Sequence, residues 1–298
     1  MQPKTQFVVN PTSGRGKVAA RLTDLTAAAR RFGGEFHLTN SVADLRTAVA
    51  RARDRGDERV VVVGGDGSVH HAVQELVGSD TALAPIPLGR GNDFSTSVGI
   101  PEDFGVALGL AVESRTRRVD LGQVADGHGT RVHFAVHCGV GIDSLSARLA
   151  NRQKLFRGAL GYPLAAVAVL ARFKPPVYTI EHDAGTWQGQ GMSFVTANCW
   201  RFGAGMKIAP EAKVDDGLLD LVWIKKAFKP RMIPLLIKVY DGKHVGHPAV
   251  QMIRSSRVRL SLSHNLPIYG DGESMLSVGE EPVEISVVAK GLRVVAPG

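Results

Sequence analysis

Gly64, Gly65, Asp66, Gly67 and Ser68 follow the apolar run Val60–Val63 and precede the helical pattern VHHAVQEL. A strand, a glycine loop and a helix N-terminus together make an anion site, because glycine lets backbone approach closely and the first helical amides face the anion. Ser68 stands where an N-cap belongs. A tight turn that only packs would read the same way, but a carboxylate in a phosphate loop is repelled unless a cation intervenes, so Asp66 implies Mg2+. Two more glycine loops follow apolar runs in the same manner, Asn10 to Gly16 (NPTSGRG) and Leu88 to Asp93 (LGRGND). Three such loops at the carboxyl ends of strands in one sheet would converge where open α/β sheets bind ligands. Far along the chain, Asp271 and Glu273 stand two apart in YGDGE. In a strand that spacing puts both carboxylates on one face, whereas the Asp-Gly dipeptide also reads as a hairpin turn.

The elements that must hold these loops are legible as periodicities. The pattern predicts strands over Gln6–Val9, Glu35–Leu38, Arg59–Val63, Leu83–Pro87 and Arg118–Leu121. Between them it predicts helices over Lys17–Phe32, Val42–Arg55, Ser68–Val77 and Phe104–Glu113. This alternation reads as an α/β domain on a mainly parallel sheet. Beyond Gly122 short alternating runs dominate, at Val132–Cys138, Val177–His182, Ser193–Asn198, Leu218–Ile224, Val258–Leu262 and Val283–Val288. Helical patterns at Gly158–Arg172 and Lys229–Val239 interrupt this mainly β half. The reading is two domains, 1–122 and 123–298, with the last strand free to pack back on the first.

Composition removes other classes. With 44% hydrophobic and 21% charged residues the chain can bury a core and is neither disordered nor fibrous. Two cysteines, Cys138 and Cys199, make neither a disulfide framework nor a zinc cage. The N-terminal residues lack the order of a signal peptide, and the apolar stretch from Gly158 to Ala171 is too short to span a bilayer. A cytoplasmic chain is expected. The net charge of +8 suits phosphates or an anionic surface. The 34 glycines in 298 residues exceed average usage of about 7% and direct attention to the loops.

NPTSG (10–14), GGDGS (64–68) and LGRGNDFS (88–95) resemble, in order, the NPxSG, GGDGT and LGTGNDFA segments of the catalytic domain shared by diacylglycerol kinases, sphingosine kinases and their bacterial relatives. VDLG (119–122), GIDS (141–144), APEAKVDDGLLDL (209–221) and GDGE (270–273) resemble later motifs, so the likeness covers nearly the whole chain. NAD kinases and phosphofructokinases also carry GGDG followed by Thr or Ser, but their companion motifs are missing here.

The resemblance implies an NAD kinase/phosphofructokinase-like α/β domain followed by a mainly β sandwich domain. It implies an ATP- and Mg2+-dependent kinase acting on a hydroxyl of a diacylglycerol-like or long-chain-base lipid. Asp271 becomes the base that accepts the hydroxyl proton, with Glu273 supporting it or binding metal and Asp66 completing the catalytic set. Asn10, Ser13, Gly64, Gly65, Gly67, Ser68, Gly89, Arg90, Gly91, Asn92 and Asp93 fall on the nucleotide loops, and Arg157 on a residue aimed at the nucleotide phosphates. Asp216, with the carbonyls of Lys213 and Leu218, matches a second magnesium site, though a turn capping a strand is the alternative. Asp93 and Asp120 match acids linking nucleotide to metal. Asp143 matches a residue that meets the lipid headgroup, and the helix from Gly158 lines the acyl pocket. The implied partners are lipid substrate and an anionic membrane surface touched peripherally, not nucleic acid; a homodimer stays open. Two positions depart from the pattern: His71 replaces a glutamate near the nucleotide, and Arg90 replaces a small Thr or Ser. The rivals are a GGDG kinase of NAD or a sugar phosphate, and an inactive nucleotide- or lipid-binding relative.

Overall fold

A computed structural model of the chain describes residues 4–152, 161–203 and 205–297. The chain divides into two compact units, residues 1–121 with 289–298, and residues 122–288. In the first unit, β1 (Thr5–Val9), β2 (Glu35–Leu38), β3 (Arg59–Gly64) and β4 (Ala82–Pro87) pair in parallel in the order β2-β1-β3-β4. β1, β3 and β4 are buried along their whole length, as strands covered on both faces must be. Their runs of Val and Ile reflect this. The helices are α1 (Leu22–Arg31), α2 (Val42–Asp54), α3 (Asp66–Leu76), α4 (Asp93–Ser97) and α5 (Phe104–Glu113). Ser41 caps α2 by accepting from the Asp44 amide at 3.1 Å, and Asp103 caps α5 by accepting from Val106 at 2.9 Å. β5 (Thr116–Ala125) closes the first stretch of the unit.

The second unit is a two-layer β structure. Its strands are β6 (Arg131–Phe134), β7 (His137–Gly141), β8 (Val177–His182), β9 (Gly185–Ala197), β10 (Leu219–Lys225), β11 (Val250–Ser255), β12 (Arg257–Leu262), β13 (Leu266–Gly270), β14 (Glu273–Val278) and β15 (Val283–Val295). β9 serves both layers. Its first half pairs antiparallel with β8, and its second half with β7 and β10. β8, β12 and β15 continue one layer, while β14, β13, β7, β10 and β11 complete the other. Alternate residues such as Tyr178, Ile180, Leu221, Val258 and Leu260 meet in the core between them. α6 (Ile142–Arg152), α7 (Gly161–Arg172) and α8 (Lys229–Tyr240) belong to this unit. A smaller apolar cluster joins Ile142, Ala166, Leu170, Met232 and Leu235. The last strand runs on into the first unit, where Val294 pairs with Leu83 of β4.

Three sequence expectations change. The single helix over Lys17–Phe32 is two short 3-10 turns followed by α1 from Leu22, because Gly14, Arg15 and Gly16 hold positive φ of 66°, 55° and 93°. The single strand over Val132–Cys138 is split between β6 and β7. α6, β11, β13 and β14 are additional elements that the periodicity does not announce.

Candidate functional site

The loops after β1, β3 and β4 lie on neighbouring strands, and the chain order reverses between β1 and β3. This is the switch point of a doubly wound sheet, where ligands bind beyond the carboxyl ends of the strands. The loops interlock. A Cβ added to Gly89 would lie 2.4 Å from the Gly65 Cα, and one added to Gly14 would lie 2.0 Å from the Leu88 carbonyl oxygen. Only glycine permits these backbone crossings. Asn10 donates from Nδ2 to Ser68 Oγ at 3.3 Å, and its own Oδ1 accepts from the amide and hydroxyl of Thr12. The Phe94 amide donates to Asp66 Oδ1 at 3.3 Å, and the Gly89 amide to Asn92 Oδ1 at 2.9 Å. Asn10, Ser13, Gly64, Gly65, Asp66, Gly67, Ser68, Gly89, Arg90, Gly91, Asn92 and Asp93 thus fall on one connected loop set.

Details differ from the expectation. The N-cap of α3 is Gly65, so Ser68 sits in the first helical turn and ties the loops together instead of capping. α4 has only five residues and α1 starts well after the first loop, so α3 supplies the helix dipole at this end of the sheet. Gly14, Gly65 and Gly89 serve loop-on-loop contact. Arg15, whose φ of 55° is sparsely populated by residues with a side chain, is an exposed cation on the first loop, as is Lys17. Neither was singled out by the glycine pattern, although both stand in plain view within and beside NPTSGRG. Arg90 is exposed. His71 is held neutral, its pKa lowered to about 4 by burial and then by the neighbouring His70 and Arg46. Asp120 is buried in β5 and accepts from the Lys290 amide at 2.7 Å.

In the second unit Asp271 and Glu273 do not share a strand face. Asp271 and Gly272 are the two central residues of the β13–β14 hairpin, with φ of 53° and 87°, and Gly270 pairs with Glu273 across them. Positive φ at both positions is the two-residue turn that favours Asp-Gly. The Asp271 carboxylate nevertheless has a specific environment. Ala135 donates to Oδ2 at 2.7 Å, while Val136 and His137 donate to Oδ1 at 2.9 and 3.2 Å. Successive amides of an extended strand point opposite ways, so three can converge on one carboxylate only where the strand breaks. That is why β6 and β7 are separate.

His137, which sequence reasoning missed, is buried beside this turn. Its Nε2 lies 3.7 Å from Asp143 Oδ2, and its ring lies 4.0 Å from that of Phe202. A lone histidine in an alternating run carries no signal by itself. Asp143 is buried at the start of α6 and packs over Gly139. Between them, burial and then the charges of Asp271 and Asp143 push the Cys138 thiol well up, which leaves it inert. The structure therefore gathers Asp271, His137 and Asp143 at one end of β7.

Asp216 lies in a turn before β10, where its Oδ1 accepts from the Leu218 amide at 3.1 Å and Gly217 has φ of 75°. Lys213 is exposed on the preceding residues. Sequence reasoning also passed over Asp220, the last acid of the same motif. Burial raises its pKa to about 6, the Arg254 guanidinium opposes that shift at 3.5 Å, and the charges of Asp216 and Glu211 add to it. An acid-rich turn of oxygen donors fits a hard divalent cation. No cluster of three or more His, Cys, Asp or Glu side chains placed to hold a metal occurs among the described residues. Arg157 lies outside the described residues. Among the described residues no helix is long and apolar enough to cross a membrane.

Two family models match the chain. One, the diacylglycerol kinase catalytic domain, covers residues 4–124; the other, the YegS C-terminal NAD kinase beta sandwich-like domain, covers residues 136–296. A Mycobacterium tuberculosis (strain H37Rv) protein named diacylglycerol kinase is 29% identical over 99% of this chain and 95% of its own length. A Bacillus subtilis (strain 168) diacylglycerol kinase is 28% identical over 91% of this chain and 89% of its own. A crystal structure described as a diacylglycerol kinase from Bacillus anthracis superimposes with a TM-score of 0.78 at 22% identity, covering 99% of this chain and 97% of that one, a likeness of fold.

Proposed function

Because the chain belongs to the diacylglycerol kinase catalytic-domain family, a family of lipid kinases, we propose that it transfers the γ-phosphate of ATP to a hydroxyl of a diacylglycerol-like or long-chain-base lipid. The observation that carries this reading is the interlock of three glycine loops at the switch point of the parallel sheet. Phosphoryl transfer asks a protein mainly for positioning and charge compensation. Asn10, Ser13, Gly64, Gly65, Gly67, Ser68, Gly89, Gly91 and Asn92 position the phosphates through backbone amides and short polar side chains. Arg15, Lys17 and Arg90 supply exposed cations around the loops, and Arg157 is proposed for the same task. Neutral His71 adds no charge to the nucleotide side.

Asp271 accepts the proton of the attacking hydroxyl. Its amide cradle orients the carboxylate from the β13–β14 hairpin. Glu273 supports it from the first position of β14. Asp143, steadied by His137, meets the polar end of the lipid. Asp66, Asp93 and Asp120 are the acids proposed for the metal on the nucleotide side, and Asp216 with the carbonyls of Lys213 and Leu218 for a second one. Mg2+ bound there would neutralise phosphate charge. The domain reading, 1–122 for nucleotide and 123–298 for lipid, and a cytoplasmic location with peripheral contact to an anionic membrane complete the proposal.

Labelled ATP with magnesium, offered diacylglycerol, monoacylglycerol, ceramide, sphingosine and an undecaprenol-like lipid, tests it. Label should enter at least one lipid. Label entering only NAD or a sugar phosphate would replace this reading with the soluble-substrate one.

A further inference from the structure

We propose that α8, with the residues just before it, is the face on which the protein rests against an anionic lipid bilayer; the inference deepens the lipid-kinase reading and rests on it. α8 turns Met232, Leu235 and Val239 inward, at a spacing of three and four, and Met232 and Leu235 join Ala166 and Leu170 of α7 in one apolar cluster. A helix packed this way ordinarily presents polar residues to water. Here the outward side carries Ile233, Ile237 and Tyr240, with Phe228 just ahead of the first turn. Phe228 is 69% and Ile237 67% exposed. Exposed apolar groups of this size gathered on one short helix mark an interaction surface.

Charge selects the occupant. From Lys225 to Lys243 the chain carries six cations, Lys225, Lys226, Lys229, Arg231, Lys238 and Lys243, against one acid, Asp241. Among the described residues only Lys243 of these six is in an ion pair, with Asp241 at 3.5 Å. Arg231 and Lys238 are exposed on the same helix as the apolar groups. Lys229 donates to the Ala171 carbonyl at the end of α7, so it anchors the helix pair; Arg172 and Lys174 follow with no acid between Leu164 and Pro176. Lys226 donates to Gln190 Oε1 at 2.6 Å, a neutral partner that leaves its charge uncompensated. Apolar side chains mixed with cations that lack an acidic partner are what a surface helix presents to acyl chains and anionic headgroups. A second copy of this chain would bring the same excess of positive charge to the contact.

Cosedimentation with phosphatidylglycerol–phosphatidylcholine vesicles, without nucleotide, tests the face. Phe228→Ser with Ile237→Ser should weaken partitioning roughly a hundredfold, about tenfold per side chain. Lys226→Gln with Arg231→Gln and Lys238→Gln should weaken it about a hundredfold at low salt, about fivefold per cation, and the loss should fade at high salt. Neither variant should change melting behaviour or transfer to a short-chain diacylglycerol dissolved as monomers. Folded variants that bind the vesicles like wild type would overturn the proposal. So would equal binding of wild type to pure phosphatidylcholine, or loss of a dimer in the apolar variant with vesicle binding unchanged. Weakened vesicle binding in a protein that phosphorylates no lipid would uphold the face and sink the kinase reading alone.

Discussion

Asp271 shows how a side chain can be placed by distant backbone. Its hydrogen-bond donors come from Ala135, Val136 and His137, up to 136 positions earlier in the chain. Asp271→Asn therefore has two expected effects. Losing the proton acceptor should lower kcat by about 10²–10⁴-fold. Setting an amide NH2 against a backbone N–H should also cost about 1–3 kcal/mol of stability. Turnover and urea unfolding measured on the same variant separate the two, and wild-type turnover would remove Asp271 from the mechanism. The acid pair was legible in the sequence; its environment was not, since nothing local shows that the strand breaks at residue 135. His71 gives a prediction in pH. Its folded pKa, about 4, lies below its ordinary value, so the unfolded chain takes up the proton first. The stability present above about pH 6.5 is lost as pH falls toward 4. His71→Gln should lose less over that window, by about 1–2 kcal/mol once partial exposure is allowed for. Urea unfolding at both ends of the window, if parallel for the two proteins, would contradict this.

At the scale of elements, the glycine loops were the most legible feature, and the structure alters why their glycines are needed. Gly65 and Gly89 pack backbone to backbone. Gly89→Ala should push the two loops apart at a cost of about 1–3 kcal/mol and weaken ATP binding at least several-fold. Gly56→Ala is the contrast. That glycine has φ of 74° but nothing within 4 Å of an added Cβ, so only stability should fall, with nucleotide affinity unchanged. Calorimetric titration with ATP alongside thermal melts distinguishes them; equal effects on affinity would count against the interlock. The strands and helices of the first unit were legible because buried parallel strands and amphipathic helices have different periods. β11, β13 and β14 were not. β11 is half-buried along most of its length, β13 carries Pro267, and β14 shows no regular alternation of buried and exposed residues. α4 is too short to show a period.

At the scale of the whole molecule, the change of texture after Gly122 marked a second, mainly β half. Its two-layer construction depends on β9 passing from one layer to the other, which no local pattern reveals. The return of the last strand to the first unit was open in the sequence, but the register that sets Val294 beside Leu83 was not legible there. The net charge of +8, first an unspecific excess, is concentrated in part around α8 and on the loops that carry Arg15, Lys17 and Arg90. Turnover on anionic vesicles should therefore fall as salt rises, while turnover on a monomeric short-chain lipid should change little. A salt response equal for both substrates would contradict a role for surface charge. The central claim is transfer of phosphate to lipid. The most direct measurement is labelled ATP with magnesium and diacylglycerol in anionic vesicles, with the lipid extract read by mass and label, and folded Asp271→Asn in parallel. The expected result is phosphorylated lipid from the wild type and about 10²–10⁴-fold less from the variant; unlabelled lipid from both across the lipid panel, with label in NAD, would contradict it.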